Sequence, residues 1–306
     1  YERVEAHFSA STTSGLAPLD LSIPNESTGD YTGSLWDFGD GVTATEDSPS
    51  HTYDASGVYT LTLEVSGPGG TDTISCTDGV TVYEPVRAAL GASPTEGIAP
   101  LMVDFENLST GDYDTCEWAF GDGDGSTGCS NPIHAYTSSG AYTVTLTVSG
   151  LGGTDTVTCS NLITVYEPAE ADFVANPTSG NTPLEVDFKN ESTGDYESCA
   201  WDFGDGVTST LTSPTHTYTA AGVYSVVLSI SGLGGTDDLT RTQYITVYQP
   251  VHAQFLASPT SGTAPLSVEF TNLSTGDYVD SLWCFGDGVT STRESPTHTY
   301  TALGPY

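Results

Sequence analysis

Four histidines, His51, His134, His216 and His298, recur in one local setting, each ahead of a Thr-Tyr or Ala-Tyr pair. A recurring imidazole raises two chemistries, metal ligation and proton transfer. The sequence supplies partners for neither: no second His or Cys stands at ligand spacing, and no nucleophile repeats beside the ring. A histidine hydrogen-bonded to backbone near a turn is the better account. The Asp of each Gly-Asp-Gly triplet, Asp40, Asp122, Asp205 and Asp287, is likewise read as turn chemistry, since Asp before Gly suits a hairpin.

One place departs from that rule. In Asp122-Gly123-Asp124-Gly125-Ser126 the alternate oxygen donors Asp122, Asp124 and Ser126 resemble the opening of a calcium loop, but Ile133 stands where the bidentate Glu is required. Calcium is thus the one cofactor the residues raise, with weak, dispersed binding by the acidic surface the stronger form of that idea. Asn25, Asn107, Asn190 and Asn272 each begin an Asn-x-Ser triplet and are candidate glycosylation sites. The competing account is that Asn and Ser bond their own backbone in a turn.

Six cysteines complete the reactive set. Cys76 and Cys159 each lie seven residues before a Tyr (83 − 76 = 7; 166 − 159 = 7), and Cys116 and Cys199 each lie two before a Trp (118 − 116 = 2; 201 − 199 = 2). The separations 116 − 76 = 40 and 199 − 159 = 40 agree, which predicts bridges Cys76–Cys116 and Cys159–Cys199 stapling neighbouring domains, within or between chains. Reach is the objection, because seven extended residues span about 23 Å and bridged Cα atoms lie within about 7 Å. The alternative is Cys116–Cys129 inside one domain. Under the stapled scheme Cys129 and Cys284 are unpaired or inter-chain.

These residues fall into register on a ruler. Trp36-Asp37-Phe38-Gly39-Asp40-Gly41 returns at Trp118, Trp201 and Trp283, with separations 118 − 36 = 82, 201 − 118 = 83 and 283 − 201 = 82. The chain is a tandem array whose period is long enough for one small domain with its own core. The expected domains are 1–84, 85–167, 168–249 and a truncated 250–306. Tyr1 stands at the register of Tyr83 (83 − 1 = 82) and Tyr306 at that of Tyr224 (306 − 224 = 82), so the sequence is expected to open on the last residue of a preceding unit and to stop at the start of a long strand, a window on a longer array.

The third unit shows the elements. Ala171–Ala175 reads as a short strand and 177–180 as its turn; Leu184, Val186 and Phe188 alternate on one face of a second strand. Asn190–Asp195 is a loop, Trp201 and Phe203 point inward together, and 222–230 and 236–248 are long strands joined by Gly232-Leu233-Gly234-Gly235. Nothing has helical period. About seven short strands per unit predict an all-β fold of antiparallel sandwiches strung as beads. The joints Tyr83-Glu84-Pro85, Tyr166-Glu167-Pro168 and Tyr248-Gln249-Pro250 carry no Gly/Ser linker, so the array is expected to be extended.

Lys+Arg number 5 against Asp+Glu 40, a formal net charge of −35. That balance excludes nucleic-acid binding by a basic face and opposes docking on anionic lipid. No stretch approaches the length of an apolar membrane span.

The Trp-Asp-Phe-Gly-Asp-Gly stretch, followed by Ser-Pro-Thr-His-Thr-Tyr at 213–218 and Gly-Val-Tyr-Ser-Val at 222–226, closely resembles the PKD domain of archaeal and bacterial surface proteins. Ala119, Ala135, Cys284 and the run Gly304-Pro305-Tyr306 depart from its pattern. The resemblance implies an immunoglobulin-like β-sandwich on an extracellular or cell-surface protein, acting as spacer or interaction module without catalytic activity. The leading expectation is a structural stalk, sheath or filament subunit with an adhesive role, partnered by other copies, adjacent repeats, glycans or cell-surface polymers. The alternative is a set of substrate- or carbohydrate-binding modules of a secreted hydrolase, with Tyr31, Tyr113, Tyr196 and Tyr278 as an aromatic platform. A calcium-dependent adhesin is a third.

Overall fold

The computed structural model describes residues 1–306, in strands and turns with no helix. The chain divides into two compact units, Tyr1–Tyr166 and Glu167–Tyr306, each holding two copies of the repeat. In the first copy the strands are β1 (Ser14–Leu16), β2 (Leu19–Ser22), β3 (Gly33–Asp37), β4 (Thr43–Ala44), β5 (Ser50–Tyr53), β6 (Gly57–Gly67) and β7 (Gly70–Tyr83). The second has β8 (Leu90–Ser93), β9 (Glu96–Ile98), β10 (Leu101–Asn107), β11 (Thr115–Ala119), β12 (Gly125–Thr127), β13 (Ile133–Tyr136), β14 (Gly140–Gly150) and β15 (Gly153–Tyr166).

In the second unit, the third copy has β16 (Phe173–Asn176), β17 (Ser179–Asn181), β18 (Leu184–Asn190), β19 (Ser198–Asp202), β20 (Thr208–Ser209), β21 (Thr215–Tyr218), β22 (Gly222–Gly232) and β23 (Gly235–Tyr248). The fourth has β24 (Phe255–Ser258), β25 (Leu266–Asn272), β26 (Trp283–Cys284), β27 (Thr290–Ser291) and β28 (Thr297–Tyr300).

Each of the first three copies is a two-layer sandwich. In the third, the sheet β16-β18-β21 faces the sheet β17-β23-β22-β19-β20; the second repeats this with β13-β10-β8 against β12-β11-β14-β15-β9. Alternation sets the core, since a strand with one face buried turns every second side chain inward. Trp36, Trp118 and Trp201 are at most 1% exposed, and Phe38, Phe120 and Phe203 are buried beside them. Val144, Leu146 and Val148 along β14, with Ile163 and Val165 on β15, extend the second core within the sheet that carries Trp118, and Val103, Phe105 and Tyr136 close it from the other sheet.

The 177–180 stretch is more than a turn. Ser179–Asn181 forms β17, paired in parallel with β23 through Ser179↔Thr246, Gly180↔Val247 and Asn181↔Tyr248. β1 and β9 pair with β7 and β15 in the same way. Three residues carry too little pattern to signal a strand, and only the partner strand, some 67 residues away (246 − 179 = 67), creates it. The sheets are therefore antiparallel apart from this one short strand in each of the first three copies.

Candidate functional site

The repeated histidines and the Gly-Asp-Gly aspartates come together. β5, β13, β21 and β28 present His51, His134, His216 and His298 to the turn that follows the Trp strand, where Nε2 meets Asp40 at 2.7 Å, Asp122 at 2.6 Å, Asp205 at 2.8 Å and Asp287 at 2.7 Å. The other carboxylate oxygen holds the turn, accepting the N–H of Val42, Asp124, Val207 or Val289 at 3.0–3.1 Å. The histidine partner is thus a side-chain carboxylate and not the backbone expected from the sequence. Its signal was present as a constant spacing, 51 − 40, 216 − 205 and 298 − 287 all giving 11, with one extra residue in the second copy.

The imidazole is also fixed by its faces. His51 stacks on Phe38 with centroids 4.1 Å apart, and the edge of Tyr53 meets it at 4.6 Å. Tyr53 donates its buried hydroxyl to the Phe38 carbonyl at 2.8 Å, and Tyr136, Tyr218 and Tyr300 repeat that bond to Phe120, Phe203 and Phe285. Burial first, then nearby aspartate charge, pushes the Tyr53, Tyr136 and Tyr218 hydroxyls well above their ordinary range. Burial pushes the Asp122 carboxyl up, but bonds from His134 and the Asp124 N–H outweigh it and hold the group below its ordinary value. At Asp287 the bond from His298 is the largest influence and lowers it. No hydroxyl or thiol is bonded to any of these four rings. The pair lacks the nucleophile that a hydrolytic triad requires.

Ser126 lies on β12 opposite Trp118, and the ligand atoms of Asp122, Asp124 and His134 lie within 4.8 Å of one another. An imidazole replaces the hard oxygen that calcium prefers, and its Nε2 is already engaged by Asp122. Past Asp124 the chain enters the strand β12 at Gly125.

The cysteines pair differently from the stapled scheme. Cys116 is bonded to Cys129, with Cα atoms 5.0 Å apart, while Cys76, Cys159, Cys199 and Cys284 are free thiols. The residue two before each Trp faces its own loop: Ser34 Oγ donates to the Glu46 carbonyl at 3.1 Å, and Cys199 Sγ points at the Leu211 carbonyl at 3.5 Å. The second copy has Cys129 in that loop, so Cys116 closes locally in place of the Cys76–Cys116 staple, and Cys159 and Cys199 are not bridged to each other within the chain. Burial raises the Cys199 thiol above its ordinary value.

Asn25, Asn107, Asn190 and Asn272 build turns. Each Oδ1 accepts the backbone N–H two residues on, at 2.9–3.0 Å. Tyr31, Tyr113 and Tyr196 pack against the cores as half-buried side chains, which removes most of the ring face a sugar would need.

The Thr-Gly-Asp run of that loop carries a function the sequence did not signal. Asp30, Asp112, Asp195 and Asp277 each accept the backbone N–H of a joint residue, Glu2, Glu84, Glu167 and Gln249, at 2.8, 2.6, 2.7 and 2.7 Å. The carboxylate clamps the incoming chain to the sandwich it is about to build.

A known protein family, the PKD domain, matches residues 3–82, 84–165, 167–247 and 249–306. The chain belongs to the PKD domain family. Among curated proteins it is 41% identical over 71 residues to the pre-pro-metalloprotease PrtV of Vibrio cholerae, covering 23% of this chain and 8% of that protein. It is 42% identical over 74 residues to a microbial collagenase of Vibrio alginolyticus, 23% of this chain and 9% of that one. Collagenase ColA of Bacillus cereus is 38% identical over 77 residues, with 24% and 8% covered. The chain thus spans less than a tenth of the length of these relatives. An I-band fragment of titin superposes on these PKD domains with a TM-score of 0.54 at 15% identity, covering 81% of this chain and 99% of that one, which shows a shared immunoglobulin-like fold.

Proposed function

We propose that this chain is a non-catalytic, tension-bearing spacer of an extracellular protein. The observation that carries the reading is the parallel pairing of the strand near the start of each complete PKD domain with its last strand: β1 with β7, β9 with β15 and β17 with β23. A pull on the two ends of a domain loads such a pair in shear, so its hydrogen bonds must break together instead of one at a time. The Cys116–Cys129 bond supports an oxidising compartment, and the −35 charge supports a soluble surface that resists collapse. Other copies of the chain and cell-surface polymers are the partners this reading implies.

Pulling the chain end to end in a single-molecule instrument tests it. Each complete domain should give a separate peak with about 28 nm of released contour, and gradual lengthening at low force would overturn the reading. The resemblance to segments of a metalloprotease and two collagenases favours a second reading, in which the domains are accessory modules of a secreted hydrolase. Retention of the chain on insoluble collagen or polysaccharide would support that one.

A further inference from the structure

The outer face of one small sheet breaks the pattern of the repeat. In the second PKD domain, β10 and β13 bury Val103 and Tyr136 and turn their neighbours Met102, Ile133 and Ala135 the other way. Met102 lies opposite Ala135, and Ile133 sits diagonal to it on the same face. Met102 is 57% exposed and Ile133 65%. The third domain holds Glu185, Thr215 and Thr217 at these positions, and the first and fourth likewise carry only Asp, Ser and Thr there. In the first, Thr52 donates to Asp20 at 2.7 Å, a bond that Ala135 and Met102 cannot make. Three polar positions are thus apolar together, in one domain, on neighbouring strands.

The backbone of β13 is open on the same side. The sheet order is β13-β10-β8, so β13 is an edge strand paired only with β10. The Phe105 N–H donates to the Pro132 carbonyl at 2.9 Å. Bonded residues alternate along an antiparallel ladder, so the backbone groups of His134 and Tyr136 also face β10, and those of Ile133 and Ala135 face outward. The two residues with free backbone groups are therefore the two whose apolar side chains lie on the outer face. β5, β21 and β28 are edges too, but their outer faces carry Ser and Thr. An apolar face beside a free strand edge accepts another strand.

Charge selects the strand. Residues 125–154 include no Asp, Glu, Lys or Arg, in a chain with 5 basic and 40 acidic residues. Two such edges can therefore meet without placing like charges opposite one another, and Asp104 stands one strand back, on β10. A basic partner would find no carboxylate on β13 to pair with. We propose that β13 is the edge through which two copies of this chain associate. Set antiparallel to itself about a two-fold axis through His134, β13 places Ile133 opposite Ala135 of the second copy and Ala135 opposite its Ile133. Each of those pairs exchanges two hydrogen bonds, which uses every outward backbone group of the two residues. The sheet runs on across both chains, and the apolar side chains form one patch with Met102 of each chain behind the new pairs. The contact is far smaller than the roughly 1,600 Å² of a standard stable interface, so the association is weak and concentration-dependent. The pairing does not depend on the spacer reading, which is tested on single chains.

The test compares the full chain with M102E/I133T/A135T, which installs the outer face that the third domain folds with. Sedimentation velocity from about 10 µM to about 1 mM should show the parent passing from monomer to dimer, and the variant should associate about tenfold more weakly or worse. Hydrogen exchange over the same range should show protection of the Ile133 and Ala135 amides rising with concentration in the parent alone. A parent that stays monomeric throughout, a variant that dimerises equally, or a dimer whose Ile133 and Ala135 amides exchange as in the monomer would each overturn the proposal.

Discussion

His134 Nε2 lies 2.6 Å from one oxygen of Asp122, while the other oxygen of that carboxylate accepts the Asp124 N–H at 3.1 Å. One side chain therefore ties the turn after the Trp strand to the strand that carries the histidine. Because the Asp122 pKa is lowered in the folded chain, its contribution is complete above the unfolded value, near pH 4, and is lost as pH falls through the folded value. Thermal melts from pH 2 to 6 should show the second domain losing stability below about pH 4. Asp122→Asn should flatten that part of the profile, and equal acid slopes in the two proteins would refute the assignment.

Reduction should act on one domain. The Cys116–Cys129 bridge closes a loop of sequence separation 13, and a loop of that size stabilises by roughly 2–4 kcal/mol. The second domain has a further reason to depend on it. Trp36, Trp201 and Trp283 donate their indole N–H to the carbonyls of Glu46, Leu211 and Arg293, but the Trp118 N–H is buried without an acceptor. Hydrogen exchange with and without reductant should show faster opening across 84–166 and no change across 167–248. Loss spread evenly over both stretches would contradict this.

The repeat, the all-β class and the inward Trp and Phe were legible because each is written in a period: about 82 residues for the domain and two for the strand. The site was legible only in part. Asp40 and His51 are both visible in the sequence, but their bond is a relation across two strands that spacing alone does not announce. The Cys76–Cys116 pairing failed for a related reason, and the alternative Cys116–Cys129 is the bridge that forms. Register matched Cys76 to Cys116, whereas the direction of Cys116 toward its own loop, set by β11, decided the partner. β17 was invisible because its strand character comes entirely from β23.

Asn190 should carry no glycan in the folded chain. Its Oδ1 holds the Ser192 N–H at 2.9 Å, and its Nδ2, the atom that would be modified, is buried. Intact mass and peptide mapping should find the 190–192 segment unmodified, and a glycan there would show that attachment precedes folding. Asn190→Ala should cost about 1 kcal/mol through the lost turn bond.

The joint between the first two domains should loosen when its clamp is removed. Asp112 accepts the Glu84 N–H at 2.6 Å, the Asp112 N–H returns to the Glu84 carbonyl at 3.1 Å, and Gly152 closes the set by donating to the Asp112 carbonyl at 2.7 Å. Asp112→Ala removes the charged acceptor while leaving the two backbone bonds, at a cost of about 1 kcal/mol for an exposed site. Asp112→Asn keeps an acceptor and should lose less. Gly111→Ala should be worse than either. Its φ is +98°, and an added Cβ would meet the Pro85 carbonyl oxygen at 2.5 Å and the Val86 Cα at 2.7 Å. Left-handed backbone alone adds about 1–2 kcal/mol for a non-glycine residue, and the joint strand must shift besides. Amide exchange at Glu84 and Val86 should accelerate in the order Asn, Ala at 112, then Ala at 111. If Asp112→Ala left Glu84 as protected as in the parent chain, the carboxylate would not be what holds the joint.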